Sequence, residues 1–323
     1  MKLLPISPDK PWLAPLAGYS DLPFRMLCRK RGCAVACTEM VSVKGLKFDG
    51  KGTKALLATC PEDSPLVVQL FGGEPQDYSD TMPQLIDEGY SFFDLNSGCP
   101  VKKVLKTGGG SALHLDPERL IETASAMVKV AGEGKVGVKI RLGFMKDEDN
   151  YLEIAKRLED IGAAWITMHP RYAKQMFSGE ADWSKLAILK QNISIPVIGS
   201  GDLFTAEDGI ECIRQTGIDG IMFARGALFD PAIFSRYLTL IDASACADLP
   251  DFDLGKTMEE HINMTRDFDG SNRSFRKIRS ILPRYAKGMD GIRAVRARLS
   301  ACEDWAELLN AAREVSTLTR ERC

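Results

Sequence analysis

Eight short apolar runs rich in Val and Ile recur through roughly the first 230 residues, and they constrain the fold more than any other feature. They span residues 12–18, 35–41, 66–71, 92–98, 136–143, 163–170, 196–202 and 220–226. None alternates cleanly between apolar and polar, which is how parallel strands buried on both faces read. Helical stretches lie between them. From Tyr151 the apolar residues fall at i, i+3, i+4 and i+7, and Asp116-Pro117 opens another helix with a capping carboxylate and a proline in its first turn. Eight βα units predict an α/β fold of the (β/α)8 TIM-barrel type rather than a doubly wound sheet, which would place its glycine-rich turn after the first strand. Here the paired glycines come late, at Gly199, Gly201 and Gly226.

The pattern changes near residue 243. An acidic, proline-containing stretch from Asp242 to Asp253 reads as a linker, and helical periodicity then continues without strand signals. The expected division is a catalytic barrel over residues 1–242 and a small all-helical domain over 243–323. Between residues 273 and 298 there are nine Lys or Arg against one acid, Asp290, an asymmetry found nowhere else in the chain. A net charge of −2 excludes a generic nucleic-acid coat but not a local basic patch of this kind.

Other classes are disfavoured. No apolar run reaches the roughly 18 residues that a membrane-spanning helix needs, and residues 1–10 carry Pro5, Pro8 and Asp9 where a signal peptide would be apolar. The nine cysteines and three histidines form no paired ligand spacing, so no metal site is expected, and the thiols fit a reducing, cytoplasmic setting. No obligate protein partner is evident.

Barrels work at the C-terminal ends of their strands. Read in order, those ends carry Pro15, Leu16 and Ala17; Glu39 and Met40; Gln69; Asn96 and Cys99; Lys139 and Arg141; His169 and Arg171; Ser200, Gly201 and Asp202; and Ala224 and Arg225. The last two turns, after strands seven and eight, combine glycine, small residues and an arginine where barrels bind phosphate. Lys139 interrupts an otherwise apolar strand, so it must either pair with a carboxylate such as Glu39 or face a ligand. Cys99 lies between Gly98 and Pro100, and a loop with Lys102, Lys103, Lys106 and Gly108–Gly110 follows, a composition suited to a lid over an anionic polymer. With an ordinary pKa near 8.5 the thiol is a proton donor at neutral pH, whereas nearby lysines would pull it toward thiolate.

These segments resemble the tRNA-dihydrouridine synthases, particularly the bacterial branch that includes the B-type enzymes. The likeness covers nearly the whole chain. It is carried by Ala14-Pro-Leu-Ala-Gly-Tyr-Ser-Asp-Leu-Pro-Phe-Arg25, Thr38-Glu-Met-Val-Ser42, Asn96-Ser-Gly-Cys-Pro-Val-Lys-Lys103, Gly109-Gly-Ser-Ala-Leu113, Val138-Lys-Ile-Arg-Leu-Gly143, His169-Pro-Arg-Tyr, Phe177-Ser-Gly-Glu-Ala-Asp-Trp183, Ile195-Pro-Val-Ile-Gly-Ser-Gly-Asp202 and Ala224-Arg-Gly-Ala-Leu228. The resemblance implies FMN in the barrel, NADPH as reductant, tRNA as substrate, and reduction of the C5–C6 double bond of uridine with Cys99 as the proton donor. It implies flavin contacts at Pro15, Leu16, Ala17, Gln69, Lys139, His169, Ser200, Gly201, Asp202, Ala224 and Arg225. RNA contacts are expected at Asn96, Lys102, Lys103 and Arg171 and, on the basic helical segment, at Arg273, Arg276, Lys277 and Arg279. Ser200 replaces the family's usual Asn, Ala224 its usual Gly, and His169-Pro-Arg-Tyr its His-Gly-Arg-Thr. Two other functions fit the same barrel: a flavin reductase of a free small molecule, of dihydroorotate or enoate type, and a non-catalytic tRNA-binding protein.

Overall fold

The computed structural model describes residues 3–48, 50–242, 253–285 and 292–320. Among the described residues nine strands run in parallel: β1 (Trp12–Leu13), β2 (Val35–Cys37), β3 (Val41–Ser42), β4 (Leu66–Phe71), β5 (Phe92–Asn96), β6 (Val136–Ile140), β7 (Trp165–Met168), β8 (Val197–Gly199) and β9 (Gly220–Phe223). Each pairs with its neighbour, β9 returns to β1, and both β2 and β3 lie against β4, so the sheet closes. β2 and β3 are two pieces of one stave, which gives an eight-staved TIM barrel. The 35–41 run breaks at Thr38–Met40 because the Thr38 hydroxyl takes the Gln69 N–H at 3.1 Å.

The strand residues alternate after all. Outward side chains such as Leu13, Ala36, Val68, Leu95, Val138, Ile166 and Phe223 join the helices in one apolar core. Inward ones are apolar only at the bottom of the barrel, where Trp12, Val35, Val67, Trp165, Ile198 and Met222 form a second cluster. Above them on the same inward face stand Gln69, Asp94, Asn96, Lys139, Arg141 and His169. Polar residues confined to the upper inward positions explain why the runs lack a period of two.

The Trp12 and Trp165 rings meet edge-on at 5.7 Å and fill the floor. Trp165 needs the space over Gly137, where an added Cβ would lie 2.0 Å from its Cε2. Gly137→Val is expected to cost about 3 kcal/mol or more, since a rigid indole and a backbone strand cannot both yield. Urea unfolding measures it, and a loss below about 1 kcal/mol would mean that the floor is loosely packed.

Local signals place the helices. Asp116 caps Pro117–Ala131 by accepting the Arg119 N–H at 3.1 Å. Tyr151–Asp160 buries Tyr151, Ile154, Ala155 and Leu158. Beyond the barrel come Leu254–Phe268, Asn272–Tyr285, Ile292–Ala301 and Trp305–Arg320. The first of these packs on the barrel helix Leu22–Arg29, where His261 sits between Phe24 and Tyr285 and pairs with the Tyr285 hydroxyl at 2.8 Å. Arg31 adds bonds to Thr257 and Glu260. Residues 243–252 of the expected linker and Asp290 lie outside the described residues. Among the described residues no helix is long and apolar enough to cross a membrane.

Candidate active site

The C-terminal mouth of the barrel opens on a cavity whose lining includes Pro15, Leu16, Ala17, Gln69, Asn96, Cys99, Lys139, His169, Ser200, Gly201, Asp202, Ala224 and Arg225. Residues from seven staves therefore converge on one space, and Met40 adds the eighth. Arg141, Met40, Phe177 and Phe204 line it too and were not among the expected contacts. Arg141 was legible as the second cation of its strand, whereas the two phenylalanines sit in loops that carry no spacing signal.

Cys99 rides on a turn held from both sides. The Asn96 side-chain oxygen accepts the N–H of Gly98 and of Cys99, the latter at 3.0 Å. The Cys99 carbonyl accepts from the N–H and the hydroxyl of Ser111, at 3.0 and 3.1 Å. Asn96 thus holds the turn through its oxygen, and its amide group donates to Gln69 at 2.7 Å. Burial pushes the Cys99 thiol above its ordinary range, against the pull of Arg141 and Lys139. This environment favours the neutral thiol.

The loop beyond Cys99 differs from the expected lid. Lys102 and Lys103 are exposed, but the glycines serve close packing. A Cβ on Gly109 would lie 2.8 Å from the Gly72 carbonyl oxygen, and one on Gly110 2.6 Å from the Cys99 carbonyl oxygen. These glycines press the loop onto its neighbours instead of hinging it.

Lys139 reaches the cavity without a hydrogen bond or ion pair within 4 Å among the described residues. Glu39, the alternative partner, accepts from the Gly18 N–H and lies 3.6 Å from Lys277 instead. Burial and the neighbouring Arg141 lower the Lys139 ammonium to about 8, with Asp94 opposing. Asp94 is correspondingly raised to about 7, mainly by burial, and one of its oxygens has no hydrogen-bond partner. Arg141 donates to the carbonyls of Gly98, Tyr172 and Met176.

On the opposite wall Gly201 has φ +111°, and a Cβ there would meet His169 Cδ2 at 2.6 Å, so only glycine fits. Asp202 spends both oxygens on the protein, on Arg171 at 2.6 Å, the Ala181 N–H at 2.8 Å and Arg225 at 3.1 Å. What these turns offer a ligand is backbone: the N–H groups of Gly201, Asp202 and Ala224 have no acceptor among the described residues. Arg225 lies between the rings of Phe177 and Phe204, 4.8 Å from each. An unpaired ammonium on one wall and free N–H donors beside an arginine on the other fit a phosphorylated, electron-accepting ring system.

Three more of the expected RNA contacts, like Asn96, have partners within the protein. Arg171 is 1% exposed and fully bonded within the protein. Lys277 bridges Asp21 at 2.7 Å and Glu39, fastening the helical segment to the barrel mouth. Arg279 donates to the Cys302 carbonyl at 2.6 Å. Arg273 and Arg276 remain exposed.

Fold and cavity together define a TIM-barrel protein with a site at its C-terminal mouth where polar side chains converge among apolar ones. Its barrel is similar to the old yellow enzyme homologue of Zymomonas mobilis, with a TM-score of 0.53 over 77% of this chain and 91% of that one at 13% identity. A sequence profile described as dihydrouridine synthase (Dus) matches residues 12–321. The chain is 32% identical to tRNA-dihydrouridine synthase B of Pseudomonas aeruginosa, over 92% of this chain and 90% of that protein. It is 33% identical to the protein of the same name from Proteus vulgaris, over 92% of each. The chain belongs to the dihydrouridine synthase family.

Proposed function

We propose that this protein reduces the C5–C6 double bond of specific tRNA uridines to 5,6-dihydrouridine, with FMN held in the barrel mouth, NADPH as reductant and Cys99 as proton donor. Residues 1–242 act as the catalytic barrel and 243–323 as the tRNA-binding part. The observation that carries this is a half-buried thiol, its pKa raised by burial, and a lysine without a hydrogen bond or ion pair among the described residues, both lining one cavity. The chemistry that side chains lack, a two-electron reduction fed by NADPH, is supplied by FMN when bound.

The chain's own residues do the rest. Lys139, His169, Pro15, Leu16, Ala17 and Gln69 would hold the ring system. The backbone N–H groups of Gly201, Asp202 and Ala224, with Arg225 and the small side chain of Ser200 beside them, would hold its phosphate. The target base must leave the stack to reach this depth. Cys99 gives its proton to C5 and recovers one from solvent, while Arg141 and Lys139 steady the transient thiolate.

Anaerobic mixing of the reduced, flavin-loaded protein with unmodified tRNA tests the proposal. Reoxidation by tRNA but not by free uridine or orotate is expected. Reoxidation by orotate or an enoate alone would move the assignment to a small-molecule reductase. A protein that takes up no flavin yet binds tRNA would make it a non-catalytic binder.

Exposed Arg273 and Arg276 supply phosphate contacts. Replacing both with Gln is expected to weaken binding of every tRNA alike and to reduce the log–log salt slope by roughly 2. An unchanged slope would take these residues out of the interface.

A further inference from the structure

Arg171, expected to grip RNA, is buried and packed against His169, which lines the cavity. Its Nη1 lies 3.1 Å from His169 Nε2. A guanidinium has only donors, so Nε2 must be the acceptor and the neutral ring must carry its proton on Nδ1. Arg171 cannot swing away, because Gly179, Ser178 and Asp202 hold the rest of the guanidinium at 2.6, 3.3 and 2.6 Å.

The ring is clamped as well. The Gly201 backbone lies against its Cδ2–Nε2 edge, close enough that a Cβ would approach these atoms to 2.6 and 3.0 Å. Turning the ring over would put a C–H against the Arg171 N–H and forfeit the bond. His169 lines the cavity, and its Nδ1 has no hydrogen-bond partner among the described residues.

We propose that Arg171 is a positioning residue that locks His169 as the neutral Nδ1–H tautomer, so that the ring offers the cavity a hydrogen-bond donor suited to a carbonyl oxygen or a pyridine-type nitrogen of a heteroaromatic ligand. The locked ring is not an acid: burial, and then Arg141, Lys139, Arg171 and Arg225 around it, hold its pKa well below the ordinary value. The same guanidinium reaches Arg225 through Asp202, so one residue sets both the donor and the outer cation of the site. The ligand's identity rests on the flavin assignment above, whereas the tautomer does not.

The chain has only three histidines, so 15N-histidine NMR of the full-length protein resolves them, with His169→Asn giving the assignment. The expected spectrum has His169 Nε2 at a pyridine-type shift and Nδ1 at a pyrrole-type shift, unchanged from about pH 5 to 8. A proton on Nε2, or titration near about 6.5, would overturn the proposal. Arg171→Lys keeps the charge but loses the fork, and Arg171→Leu removes both; each is expected to give a mixed or titrating His169. A single unchanged tautomer in a folded variant would take the lock away from Arg171. If neither variant folds, the wild-type spectrum still decides the tautomer. Flavin is read separately from the visible spectrum, so failure of the tautomer and failure of the flavin assignment look different.

Discussion

Replacing Cys99 with alanine is expected to leave flavin uptake intact and to slow reoxidation of the reduced protein by tRNA by about 10²–10⁴-fold, the usual contribution of a positioned proton donor. The expectation rests on geometry. Asn96 and Ser111 hold the turn through its backbone, and neither bond involves the sulfur. Alanine therefore keeps the turn and removes only the proton. Single-turnover absorbance measures the rate, and full activity on unmodified tRNA would remove Cys99 from the chemistry. The pH dependence follows from the same environment. Burial raises the thiol pKa, so the acid form persists beyond about pH 8.5, where a free thiol is half ionised. The rate is expected to hold level through neutral pH and to fall only above the raised pKa, as the donor ionises. The alanine variant is expected to lose that alkaline limb. A wild-type rate that instead falls on acidification from pH 8 to 6 would mean that the thiolate is the working form.

Much of this was legible in the chain. The eight apolar runs located every stave, and the polar residues at their ends assembled one cavity, because side chains at strand ends of a parallel barrel share a mouth. What could not be read was which partner each polar group had chosen. Arg171, Asp202, Lys277 and Asn96 lie at positions where a ligand contact and an internal bond give the same residue pattern. Each has a partner distant in sequence: Asp202 and Arg171 bond each other, Lys277 bonds Asp21, and the Asn96 amide donates to Gln69. Lys139 shows the converse. Glu39 was a plausible partner from sequence, and only the fold reveals that Glu39 is engaged by Gly18 and Lys277. The glycines after Cys99 misled for a related reason. Flexibility and close packing both require glycine, and only the atoms opposite the missing Cβ tell them apart.

Lys139→Met is expected to act in opposite directions on stability and on function. In the flavin-free chain the ammonium sits deep in the barrel with no partner, and methionine of similar length removes the cost of keeping it there. The sign follows from the pKa. A lysine lowered to about 8 in the folded state binds fewer protons than the unfolded chain between about 8 and the ordinary value. Its cost is therefore full below pH 8 and is relieved as pH rises through that window. The variant is expected to melt a few degrees higher than wild type near pH 7, with the gap narrowing toward pH 10. Functionally the same change removes the charge that would balance negative charge on a reduced ring, a loss of about 10²-fold or more in the rate of reduction by NADPH. Stopped-flow reduction and thermal melts of one preparation measure both. A variant that melts lower than wild type at pH 7 would mean that Asp94 and Lys139 form a net stabilising pair. A variant reduced at the wild-type rate would place the lysine outside the flavin's reach.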